Sequence, residues 1–139
     1  MGRTTSRAAA ILAGALALAA PAAGAWSAGA GGSAAAAART MPAGNVPSGT
    51  AAIGGTVTVT WIASTFAGGA PVPGYVIRRF NSITGAEATV LPACAGIVSG
   101  TSCIESGVPI GSWKYSVTPA AGTWRVGQSA QSAAVVVTL

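Results

Sequence analysis

The chain has no histidine and no aspartate, and its only acidic side chains in 139 residues are Glu87 and Glu105. A pair of carboxylates doing acid and base work must face each other about 5 to 10 Å apart across a cleft. Glu87 and Glu105 fall on different predicted strands and read as solvated strand residues, since unpaired acids are seldom buried. Metal chemistry lacks ligands as well: Cys94 and Cys103 offer two thiols, and no histidine is there to complete a zinc site. A serine nucleophile needs an adjacent base, and the single lysine, Lys114, projects outward on its predicted strand. The expectation is a protein without catalysis, cofactor or metal.

Charge is scarce too, at 6% of residues against roughly 25% in an ordinary soluble domain. The cations are scattered, whereas a nucleic-acid binder neutralises several phosphates with a continuous basic stripe, so nucleic acid is not an expected partner. Long apolar runs are missing. The longest candidate, AAAILAGALALAA at 8–20, meets Pro21 before reaching the roughly 20 residues that span a bilayer. With Arg3 and Arg7 before it and Ala23, Gly24 and Ala25 after it, the segment reads as a signal peptide over 1–25, cleaved before Trp26. The competing reading is an uncleaved anchor. Membrane contact is then expected only through this segment before cleavage, and the protein is expected to be secreted or held at the cell surface. Without Arg3 and Arg7, the cations Arg39, Arg78, Arg79, Lys114 and Arg125 against Glu87 and Glu105 leave a net charge of +3.

An even pair of cysteines in an exported protein is most simply a disulfide, here Cys94 to Cys103. From 26 to 49 the chain is small residues with little to bury, and it reads as a flexible Ala, Gly and Ser linker ahead of a domain over 50–139.

Alternation marks the strands of that domain. Over 56–60 threonine and valine alternate and lead into Trp61, so Val57, Val59 and Trp61 share one face and Thr58 and Thr60 the other. After a loop bearing Gly68, Gly69, Pro71 and Pro73, the extended pattern resumes over 75–80. It places Tyr75 and Ile77 inward, Val76, Arg78 and Phe80 outward, and Arg79 at the inner edge. The loop 63–74 is long for a hairpin, which sends its two strands to different sheets. Trp113, Tyr115 and Val117 alternate with Lys114, Ser116 and Thr118 to give a second core strand. Shorter strands are expected at 50–53, 87–91, 103–105 and 132–138, with a turn at 81–85, a corner at 106–112 and an irregular loop at 120–129.

In this order, a strand ending in Trp61, a proline and glycine loop, GYVIRRF, a corner, WKYSVTP, a loop and a valine strand, the chain resembles a fibronectin type III domain over about 45–139. VTVTWIASTFAGGAPVPGYVIRRF is similar to that family's B strand, BC loop and C strand, with Trp61 at the core tryptophan and Tyr75 at the tyrosine opening strand C. SGVPIGSWKYSVTP is similar to its EF corner and F strand, with Trp113, an indole donor lacking a hydroxyl, where the family has its corner tyrosine. Two cysteines are atypical of the family, and no Arg-Gly-Asp triplet is present, so integrin-type adhesion is not implied. The resemblance implies an all-β, immunoglobulin-like β-sandwich of about seven strands, used for binding or spacing rather than chemistry. The front of the chain, a signal followed by GAWSAGAGGS, is similar to small exported proteins of Gram-positive, actinobacterial-type bacteria that a dedicated signal peptidase processes, some of them biofilm-matrix fibre subunits.

Trp61, Tyr75, Trp113 and Tyr115 are read as core, because aromatics at period two on central strands pack the sandwich. Trp124 and Arg125, adjacent in a glycine-bearing loop, have the composition of a binding hot spot, although a loop tryptophan also folds back to cap a core. If the strands pair as in the family, Val76, Arg78, Phe80 and Lys114 form an apolar and basic strip on one outer sheet face. The expected function is binding of protein or carbohydrate at the cell surface. The alternative is a structural subunit of a surface fibre or matrix, a homo-oligomer in which the N-terminal segment completes a neighbour's sheet.

Overall fold

The computed structural model describes residues 39–139. The expected signal peptide and the linker up to residue 38 lie outside the described residues. Within them, strands β1 (Ser48–Ala52) and β2 (Thr56–Thr60) form a hairpin in which Thr50 faces Thr58. The turn needs backbone φ of +84° at Gly54 and +76° at Gly55, which glycine reaches without steric cost. Strand β5 (Ser102–Ser106) pairs with the other side of β2, setting Cys103 opposite Val59 and closing a sheet of order β1-β2-β5.

The larger sheet is built on β3 (Gly74–Asn81) and β6 (Gly111–Ala121), paired antiparallel along the whole of β3. Strand β4 (Glu87–Ala88) covers one edge, and β7 (Trp124–Arg125) and β8 (Val135–Val137) pair with the far side of β6. β2 and β3 do belong to different sheets, as the long intervening loop requires. Between β7 and β8 the chain keeps alongside β6 by an unusual device. Ser129 N and Ser132 N donate to the carbonyls of Val117 and Tyr115, while the serine Oγ atoms accept from Val117 N and Tyr115 N at 3.0 Å each. Two residues of β6 are thus matched by three of the returning chain, and hydroxyls replace carbonyls where the ladder slips.

The alternating faces meet as predicted. Val57, Val59 and Trp61 from one sheet and Tyr75, Ile77, Tyr115 and Val117 from the other are buried together, closed by Val135 and Val137. Each such side chain stabilises by about 1.5 to 3 kcal/mol when fully removed from water. The Tyr75 ring meets Trp61 edge-on at 5.5 Å, and its hydroxyl accepts from Ser64 N at 2.7 Å, tying the loop after β2 to the core. Cys94 and Cys103 form the expected disulfide, linking a short 3-10 turn (Pro92–Cys94) to β5.

Several expectations are corrected. The linker does not run to residue 49: Met41 is buried in the core, Ala67 N donates to Thr40 O, and Gly44 lies so close to β6 that a β-carbon would fall 2.0 Å from Val117 O. The first strand starts at Ser48, and the strand expected over 87–91 stops at Ala88, because the chain there crosses to the other sheet. Trp113 is half-buried rather than central. Its Nε1 donates to Pro109 O at 2.8 Å, so the indole makes the backward hydrogen bond that a corner tyrosine would make.

The largest correction concerns Glu105, expected in solvent and in fact 0% exposed. It shares the inward face of β5 with Cys103 and meets Arg79, 4% exposed, which shares the inward face of β3 with Ile77. Arg79 Nη1 donates to both Glu105 oxygens, Tyr115 Oη donates to Oε2 at 2.8 Å, and Leu91 N donates to Oε1 at 2.5 Å. Arg79 Nη2 donates to Thr89 O at 2.7 Å, and its guanidinium lies 4.8 Å from the centre of the Trp113 ring. Burial raises the pKa of Tyr115 above its ordinary value, and the Glu105 carboxylate, as hydrogen-bond acceptor and as charge, raises it further.

Candidate functional site

The candidate residues sort by strand geometry. Trp124 and Arg125 are consecutive in β7, and consecutive strand residues point to opposite faces, so the structure separates the expected hot-spot pair. Trp124 turns toward the loop after β2 and stacks on Phe66, ring centres 6.0 Å apart at 28°. With 43% of its surface exposed it both caps that loop and keeps open surface. Arg39 lies over the Phe66 ring at 5.9 Å.

Arg125 turns the other way, onto the outer face of the larger sheet. There it lines a groove of about 230 Å³ with Val76 and Arg78 of β3, Thr118 of β6, and Val126 and Gln128. The backbone fixes Arg125, whose Nη1 donates to Gly122 O at 2.6 Å and to Trp124 O at 3.0 Å. Gln128 Nε2 donates to Ser116 Oγ at 2.6 Å, which orients its amide on the same face. Arg78 therefore joins Arg125, a convergence the sequence placed on two separate features.

The rest of the expected strip does not join them. Phe80 lies on the outer side of β3 between Glu87 and Lys114, but it is 9% exposed and offers little surface to a ligand. Lys114 is half-buried beside it and does not line the groove. A larger groove of about 480 Å³ opens on the other side of Arg78, lined by Glu87, Ala88, Thr89 and Val90 among others. Its one cation is shared with Glu87, 3.6 Å away, which leaves that groove close to neutral.

Glu105 is held by Arg79, Tyr115 and Leu91 N, and Glu87 faces Arg78 at the surface. With both acids of the chain so engaged, Arg39, Lys114 and Arg125 have no acidic side chain to pair with. The electrostatic result is one sheet face that carries cations and an opposite face that carries none. On the outside of the smaller sheet Ser48, Thr50 and Ala52 lie in register with Thr60, Thr58 and Thr56, and these with Ser102, Ile104 and Ser106. Among the described residues there is no group of three potential metal ligands and no helix long and apolar enough to cross a membrane.

No protein-family model matches the sequence, and no curated protein does. Solved structures do. An Fn3-like protein from Clostridium thermocellum is similar at 21% identity and TM-score 0.51, over 74% of this chain and 97% of that one. A stretch of titin domains is similar at 14% identity and TM-score 0.53, over 70% of this chain and 34% of that one. The twitchin kinase region of C. elegans is similar at 16% identity and TM-score 0.51, over 68% of this chain and only 17% of that one. Likeness at such identity speaks to the fold alone. Together with the sheets β1-β2-β5 and β4-β3-β6 with β7 and β8, it makes the described domain an all-β sandwich of fibronectin type III type.

Proposed function

We propose that this chain is an exported, non-catalytic β-sandwich module that binds protein or carbohydrate at the cell surface through the outer face of its larger sheet. The single observation that carries this reading is the convergence of Arg78 and Arg125 on one groove in a chain with no acid left to neutralise Arg125. A binding role also agrees with the chemistry available: one of the two carboxylates is sealed inside the sandwich, away from any substrate. Retention of the purified chain on isolated envelope and matrix material tests it. Wild type should be retained and an Arg125→Ala variant released, with Trp124→Ala reporting whether the Phe66 stack contributes. Equal failure of all three to bind would remove the reading.

The charge-free outer face of the smaller sheet favours a second reading, a structural subunit that packs against copies of itself in a fibre or matrix. Light scattering at high concentration separates the two, since a protein that stays monomeric there is no such subunit.

A further inference from the structure

We infer that the groove between Arg78 and Arg125 takes the carboxylate of an acidic polysaccharide, a polymer of sugar acids. This rests on the binding-module reading and narrows its ligand.

The charges come first. Two arginines line one groove, and a guanidinium presents planar forks that suit a carboxylate. Arg125 is held through Nη1 alone, so its Nε and Nη2 hydrogens have no partner among the described residues. Arg78 stands 3.6 Å from Glu87, beyond hydrogen-bond reach, in an exposed pair of the kind worth little in water. A ligand carboxylate can therefore recruit Arg78 at small cost.

The neutral groups then choose between a glycan and a peptide. Gln128 spends one amide hydrogen on Ser116 and keeps its carbonyl oxygen as an acceptor, and Thr118 brings a hydroxyl that both donates and accepts. Acceptors beside arginines suit a ligand that carries hydroxyl donors next to its carboxylate. An acidic peptide would instead look for main-chain partners. The groove lies on the face of the sheet, where the backbone groups of β3 and β6 are already paired with each other and with β7, so these strands offer none. Val76 and Val126 supply the apolar surface on which the C–H face of a sugar ring can rest.

Calorimetric titration of the full chain with polygalacturonate, dextran and poly-L-glutamate tests the assignment. Polygalacturonate should bind, weakening as salt is raised, and dextran should not. Arg78→Gln and Arg125→Gln should each weaken binding about tenfold or more, the loss expected for a charge-assisted hydrogen-bond pair. Lys114→Gln, on the same sheet but outside the groove, should change it by less than about twofold. Polygalacturonate binding no tighter than dextran, poly-L-glutamate binding as tightly, or a Lys114→Gln loss equal to the arginine losses would overturn the inference. Retention on envelope material without polygalacturonate binding would leave the module reading standing and remove only the sugar acid. Loss of both would remove both.

Discussion

Arg79 on β3 and Glu105 on β5 belong to different sheets, and Arg79 Nη1 stands 3.1 and 3.0 Å from the two Glu105 oxygens inside the sandwich. Arg79 also donates to Thr89 O and Glu105 also accepts from Leu91 N, so the crossing segment between the sheets is held by the same pair, while Tyr115 Oη donates to Glu105 from β6. Two charges taken from water cost several kcal/mol each unless bonded, and here the two carboxylate oxygens carry four bonds between them. Removing one partner therefore leaves a buried charge uncompensated. Arg79→Met or Glu105→Leu alone should each cost about 3 to 5 kcal/mol in urea unfolding. The double variant should cost much less than the sum of the two. A double variant as damaged as that sum would show that the pair does not act as a unit.

Tyr115 gives the domain an alkaline weakness. Its pKa is raised above the ordinary 10.0 by burial and by the Glu105 carboxylate it bonds. In the unfolded chain the phenol ionises near its ordinary value, while in the folded domain it keeps its proton to higher pH. The unfolded state then binds fewer protons above that value, and stability falls as pH rises. The contribution is complete below pH 10.0 and is lost above it. Unfolding midpoints measured from pH 8 upward should show this decline in wild type and a shallower one in Tyr115→Phe. Identical slopes would assign the alkaline loss to other groups.

Much of the fold was legible because period two survives in TVTVTW, GYVIRRF and WKYSVTP, and the inward members Val57, Val59, Trp61, Tyr75, Ile77, Tyr115 and Val117 are all buried. The same period held the signal that was missed. Arg79 is two residues beyond Ile77 and Glu105 two beyond Cys103, so an inward Ile77 and an inward Cys103 already bring opposite charges into one interior. Judging Glu105 as a lone acid hid its partner. Period two also divides Trp124 from Arg125, which adjacency in sequence had joined. The groove was beyond reach for another reason: Arg125 comes to the face that carries Arg78 because the two-residue strand β7 pairs with β6 at Ala120 and Ala121, and two residues are too few to show an alternating pattern. The returning chain after it keeps to β6 through hydroxyls spaced three apart, again without alternation.

Those hydroxyls give the third prediction. Ser129 and Ser132 each accept from a buried amide of β6, and each hydroxyl donates to the next carbonyl, Ala130 O or Ala133 O, at 2.7 Å. Alanine at either site leaves Val117 N or Tyr115 N without an acceptor in a dry position. Each substitution should cost about 1 to 3 kcal/mol, the penalty for an orphaned buried donor. Hydrogen exchange should speed at Val117 or Tyr115 according to the site changed. Unchanged protection at both amides would mean that the ladder closes there without the serines.

Trp113 combines two roles that one substitution separates. The ring lies under the Arg79 guanidinium, and the indole nitrogen bonds Pro109 O four residues back, at the corner that leads into β6. Trp113→Phe keeps an aromatic face for the guanidinium but removes the donor, so it should cost about 1 kcal/mol, the net worth of one hydrogen bond. Trp113→Leu removes the face as well and should cost more, by about 0.5 to 2 kcal/mol for a desolvated cation over a ring. The two terms separate only if Arg79 is present. In an Arg79→Met background the difference between the phenylalanine and leucine variants should shrink toward their difference in packing. If that difference persisted undiminished, the guanidinium would be resting beside the indole without being stabilised by it.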